Sequence, residues 1–183
     1  MIGRVYTLLS LLVLTLLSVS GVVAAPHILN ITSNIPNGVY TEGELINFTV
    51  TFNESVYVNG TATFGLALGQ AIQQANYDAG NNTPSLEYIY TIVAGDYSLD
   101  LTATSGAGEV YGVATNEQTS YSMTNVTNLN VNANIVVDAA PPAATIVVPT
   151  NGSTTSNLTP VVFFRANDSI STTVEYVIFV DGV

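Results

Sequence analysis

Nine Asn-x-Ser/Thr triplets run through the 183 residues, at Asn30, Asn47, Asn53, Asn59, Asn81, Asn125, Asn151, Asn157 and Asn167. Each pairs a side-chain amide with a hydroxyl two residues on, the pattern that accepts an N-linked sugar on an exported chain. Nine of the 18 Asn lie in such a triplet, about twice what chance gives when roughly one residue in five is Ser or Thr. The excess favours glycosylation. The competing reading is that Asn and Thr are simply the outward residues of a sheet that has no Lys, and so make triplets by accident. A second chemistry belongs to the acidic residues near turns, Glu42, Glu44, Asp96, Asp100 and Asp138. Calcium takes about six to eight oxygens, and carboxylates at a domain junction can supply them. Asp138 is the best placed, although the spacing matches no EF-hand or nonapeptide loop, and capping of turns explains the same residues.

Catalysis finds few parts. Cysteine is absent, and His27 is the only histidine, close to the N-terminus. Ser-His-Asp and Cys-His mechanisms therefore lack a base or a nucleophile. Paired carboxylates remain on composition alone, but the acids are scattered through turns. The chain reads as no enzyme. Tyr40, Tyr57, Tyr77, Tyr88, Tyr90, Tyr97, Tyr111 and Tyr121 are enough for a sugar-stacking platform, or for a core; Tyr88 and Tyr90 have inward parity.

Charge narrows the partners. There are 13 acidic residues against two basic ones, Arg4 and Arg165, and the formal charge is −11. Nucleic acid and anionic lipid are held by Lys and Arg, so neither is an expected partner. At 48% hydrophobic, with ten Tyr and six Phe, the chain can still build a packed core. Arg4, an apolar run from Val5 to Val19 and the small residues up to Ala25 fit a secretory signal peptide over residues 1–25. The alternative is a retained anchor, the chain's one route to a membrane, since the stretch is about long enough to span. Either places the remainder outside the cytoplasm.

The elements that must position these groups read as strands. Leu45 to Phe52 alternates, with Ile46, Phe48, Val50 and Phe52 on one face. Asn47, Asn53 and Asn59 are six apart and so share the other face if the strand is continuous. Asn59-Gly60 is either a hairpin turn between Val56–Val58 and Ala62–Leu68 or a bend in one long strand. Further strands are expected at Ile28–Thr32, Ala71–Tyr77, Leu86–Val93, Leu99–Ala103 and Val126–Val137. In the last, Leu129, Val131, Ala133, Ile135 and Val137 would face inward. Gly106 to Ser122 has weak periodicity and reads as a long loop. So many short strands predict an all-β fold, an antiparallel sandwich over residues 26–138. A Pro-rich linker follows at 139–144, then a second set of strands over 145–183, at Thr145–Val148, Val161–Ala166 and Val174–Val180. Those residues are too few for a second sandwich and read either as an incomplete domain or as a small three-stranded tail.

The ordered set Gly43-Glu44, Ile46–Phe52, Glu54–Val56, Gly60–Leu68, Leu86–Asp96 and Asp138–Pro142 resembles the bacterial Ig-like repeats of large cell-surface adhesin-type proteins, over about residues 28–142. The tail looks like the start of a different Ig-like module. The resemblance implies a non-enzymatic secreted or cell-surface protein of tandem Ig-like sandwiches. Its partners would be neighbouring Ig-like domains of the same chain and surface glycans or other surface proteins. Two alternatives stand beside it. One is an ancillary module of a secreted carbohydrate-active enzyme. The other is a surface-layer or filament subunit assembled by strand exchange, with His27–Ser33 as the donated strand.

Overall fold

The computed structural model describes residues 24–69, 71–175 and 177. The apolar stretch assigned to a signal peptide lies outside the described residues up to position 23.

One strand organises the molecule. β3 (Leu45–Leu68) runs for 24 residues and belongs to two layers in turn. Its first half pairs antiparallel with β1 (Ile28–Ser33) on one side and with β5 (Thr83–Thr91) on the other. Its second half pairs antiparallel with β4 (Ala71–Ala79) and β7 (Thr102–Gly112). Val56 is the pivot, lying opposite Thr83 of β5 and Gly112 of β7. β4 and β5 are hydrogen-bonded to each other, which joins the layers along one side. The result is an all-β antiparallel sandwich with a bent strand common to both sheets. Asn59-Gly60 is therefore a bend and not a hairpin. Asn59 to Thr61 bulge out between the Val58–Val110 and Ala62–Gly108 pairs, with Gly60 at φ +109°, a value that favours glycine.

The other side is joined by residues 112–127. Gly112 N donates to Glu117 O (2.9 Å) and Thr119 N to Val110 O (2.8 Å), along β7. The same segment then crosses to β1, where Ser120 N donates to Pro26 O (2.8 Å) and Ile31 N to Thr127 O (2.9 Å). Both outer edges are thus covered, the usual protection against edge-to-edge association. A small sheet completes the unit: β2 (Gly38–Tyr40) lies parallel to β8 (Ile135–Asp138), and β6 (Tyr97–Ser98) antiparallel to it.

Alternation along β3 explains the core. Ile46, Phe48, Val50, Phe52, Val56, Phe64 and Leu66 are all buried, along with Leu86, Tyr88 and Ile92. The two halves of β3 meet at Phe48 and Phe64, whose rings stand edge to face at 6.1 Å. Tyr88 stacks on Phe48 at 5.7 Å and meets Phe64 edge-on at 5.5 Å.

Three expectations are corrected. Gly106 to Gly112 is not loop but the second half of β7. Its glycines hide the period because they serve close contacts: a Cβ on Gly106 would overlap the Tyr121 ring, and one on Gly108 would meet Thr61 O at 2.1 Å. Val126–Val137 is not one strand. A short helix, α1 (Leu129–Asn132), interrupts it, and only Ile135–Asp138 is a named strand. Asn128 causes this: its Oδ1 accepts from Leu129 N and from Ala103 N, and its Nδ2 donates to Ala103 O. An Asn side chain that bonds backbone in this way competes with a sheet ladder. Leu129 is buried as expected, but Val131 is 71% exposed. Nor is Leu99–Ala103 one strand. Leu99 is exposed in the break between β6 and β7, and only Thr102 and Ala103 are in β7.

Beyond the sandwich, β9 (Ala143–Val148) pairs antiparallel with β10 (Phe163–Asn167). β9 opens two residues before its expected start, inside the stretch assigned to the linker. The strand expected at Val174–Val180 lies largely outside the described residues, which include only Val174, Glu175 and Val177 of it.

Candidate functional site

The five acidic positions are not gathered. Among the described residues, no three His, Cys, Asp or Glu side chains converge as metal ligands would. Glu44 closes the turn before β3, its Oε2 accepting from Thr41 N (2.6 Å) and Thr41 Oγ1 (3.1 Å). Asp96 is buried, and its Oδ2 accepts from Tyr90 Oη (2.6 Å) and Val93 N (3.0 Å). Asp100 is exposed. Glu42 and Asp138 line one open cleft of about 400 Å³, together with Thr41, Ala94 and Ala139–Pro141. Asp138 Oδ2 accepts from Ser171 Oγ at 2.8 Å.

The triplets divide by what their amides do. Four Asn of the sandwich have a tethered oxygen. Asn53 Oδ1 accepts from His27 N (2.8 Å) and Asn81 Oδ1 from Val58 N (2.8 Å). Asn47 Oδ1 accepts from Asn34 Nδ2 (2.8 Å). Asn30 Oδ1 accepts from Asn132 Nδ2 (2.7 Å), which also donates to Ile31 O. These amides stitch β1, β3 and the segments around them, and among the described residues their nitrogens have no partner. Asn53, Asn59, Asn81, Asn125, Asn151, Asn157 and Asn167 are exposed, while Asn30 and Asn47 are half-buried. Asn157 Oδ1 accepts from Thr159 N and Thr159 Oγ1. Among the described residues Asn59 has no side-chain hydrogen-bond partner, and the face predicted for Asn47, Asn53 and Asn59 is the outward one.

The tyrosines also divide. Tyr88 is core, with a buried hydroxyl that has no partner among the described residues, as has Tyr121. Burial pushes the Tyr121 hydroxyl up to about 12 and the Tyr88 hydroxyl further above the ordinary range. Burial first, and then the Asp96 hydrogen bond, raise Tyr90 as well. Tyr57 and Tyr111 instead lie on the outer face as a cross-strand pair, stacked at 5.6 Å and 25°. Tyr57 Oη donates to Asn116 Oδ1. Sequence reading could not single out this pair, because it depends on the register of β7, a strand whose glycines hide its period.

The chain reaches the sandwich at one pole and leaves it at the other. At the first pole Pro26 O accepts from Ser120 N, and Asn53 N donates to His27 O (3.1 Å). At the second, Gly95 N donates to Ala139 O and Ala139 N to Asp96 O, each 2.8 Å, while Gly43 N bonds Ile92 O close by. Asn53 of β3 and Glu44, the residue just before that strand, are nine residues apart, about 30 Å of extended chain. Comparison with protein-family models, with curated proteins and with solved structures finds no match for this chain.

Proposed function

We propose that this chain is a non-enzymatic, exported structural protein, and that its sandwich is an Ig-like spacer strung in series with neighbouring units at the cell surface. The observation that carries the reading is the pair of opposite poles: Pro26–His27 at one end, Asp138–Ala139 at the other. A unit so threaded transmits a pull along its strands and holds its two neighbours apart. The covered edges of β1 and β7 support the same role, since tandem copies must not pair edge to edge. The outer face of Asn and Thr keeps the surface hydrated without Lys. Adhesion to surface glycans or other surface proteins would belong to other parts of such an assembly.

The test uses the absence of cysteine. Val39 is 61% exposed, and a Val39→Cys variant of the full chain carries one thiol. On intact cells of its source, a membrane-impermeant maleimide labels that thiol if the unit is displayed. Labelling only after lysis would sink the proposal.

A further inference from the structure

We infer that Asn59 carries an N-linked glycan whose first sugar packs on Tyr57, so that the modification stabilises the bend of β3 as well as shielding it. The inference rests on the reading of the protein as exported.

Four features converge at this one triplet. Asn59, Gly60 and Thr61 are all exposed, so the whole acceptor motif is open. They form the bulge of β3, where Gly60 at φ +109° turns the motif away from the ladder. Among the described residues nothing ties the Asn59 amide, whereas those of Asn30, Asn47, Asn53 and Asn81 are held by their oxygens. A linked sugar at Asn59 can therefore choose its direction. Finally, an aromatic ring is near: Tyr57 lies on the outer face of β3 two residues before Asn59, just before the bulge begins, and the chain holds the two Cα atoms within about 7 Å of each other.

That ring is prearranged. One face stacks on Tyr111, and the hydroxyl is held by Asn116. A pyranose presents an apolar face of C–H bonds, which suits the exposed side of such a ring. Because the ring is already fixed, the contact costs little further side-chain ordering. None of the other sandwich triplets has an aromatic residue two positions before it: Leu45 precedes Asn47, Thr51 precedes Asn53, and Ala79 precedes Asn81, while Ile28 and Met123 precede Asn30 and Asn125.

The attachment is balanced by a sugar-phospholipid donor and the membrane-bound transferase of the export route. Nδ2 of Asn59 forms a bond to the anomeric carbon, the bond from that carbon to phosphate oxygen breaks, the amide loses one proton to the transferase base, and the lipid phosphate leaves.

The full chain is to be secreted from a host that glycosylates Asn-x-Thr, as wild type and as Tyr57→Ala, Tyr57→Phe and Thr61→Ala. Glycopeptide mass spectrometry reads occupancy, and Tm is read before and after enzymatic removal of the sugar. The expected result is an occupied Asn59, bare only in Thr61→Ala. Removal then lowers Tm by several degrees in wild type and Tyr57→Phe, and by less than half as much in Tyr57→Ala. A bare Asn59 in the secreted wild type overturns the inference, as does an equal Tm loss in Tyr57→Ala. Failure of the export reading shows differently: the chain with its own N-terminal segment stays inside its source cells.

Discussion

Tyr88 and Tyr90 are two residues apart on the same face of β5, yet removing their hydroxyls should move stability in opposite directions. Tyr88 is 0% exposed, and its hydroxyl has no hydrogen-bond partner. It sits between Phe48 and Phe64, so folding strips water from a polar group and returns nothing. The cost of such an orphan is about 1–3 kcal/mol. Tyr88→Phe keeps the ring and the stack and removes that cost. Tyr90 Oη, by contrast, donates to the buried Asp96 carboxylate at 2.6 Å. A hydrogen bond to a charged group contributes about 1.5–3 kcal/mol, reduced here because Tyr90 is only half-buried and water can substitute. For a unit of about 110 residues, 1 kcal/mol corresponds to roughly 4 °C in Tm. Tyr88→Phe should therefore raise Tm by at least about 4 °C, and Tyr90→Phe should lower it by about the same amount. Calorimetry on the full chain, with reversibility checked, measures both. A lower Tm for Tyr88→Phe would contradict an unpaired hydroxyl and mean that it finds a partner, such as a buried water, in solution.

The interruption by α1 is tested by parity. Val131→Asp should change Tm by no more than about 2 °C, since the site is 71% exposed. Leu129→Asp places a charge where exposure is 1% and should cost about 3 kcal/mol or more. Equal losses would restore the uninterrupted strand. Gly108→Ala drives a Cβ to 2.1 Å from Thr61 O at φ +117°, whereas Gly43→Ala, at φ +86°, meets open space. The first should cost well over 3 kcal/mol and the second about 1 kcal/mol in urea titrations; a similar cost at both would show that β7 can shift. Alkali probes the interior tyrosines. Tyr88, Tyr90 and Tyr121 all have their hydroxyl pKa raised on folding. The unfolded chain then loses protons first, so these groups leave stability unchanged below about pH 10 and lower it as pH rises toward the folded values. Stability measured from pH 8 to 12 should fall beyond pH 10, and a flat profile would contradict this burial.

Much of the sandwich was legible because side chains announce it. Ile46 to Phe52 and Leu86 to Ile92 alternate, and alternation is what a half-buried strand requires. β7 was not, because Gly106, Gly108 and Gly112 have no side chain with which to show a period. Their meaning lies in what approaches them: the Tyr121 ring, the Thr61 carbonyl and Thr115 Oγ1. The stretch from Val126 misled in the opposite sense. Its alternating Asn imitate the outward face of a strand, but Asn128 and Asn132 turn their amides to Ala103, Asn30 and Ile31. At the candidate site, the Asn59 triplet was plain in the sequence. The register that stacks Tyr57 on Tyr111, and the distant donors that tie down Asn53 and Asn81, are long-range facts that no local pattern carries.

A sandwich threaded from pole to pole fixes a long distance between its two ends. The chain has no cysteine, so His27→Cys with Pro141→Cys gives two spin labels at chosen points, both exposed. Electron–electron double resonance on the folded full chain should give a distribution centred at about 30 Å or more, the length of β3 between the two levels. A distribution below about 20 Å would place both ends at one pole and contradict the serial spacer.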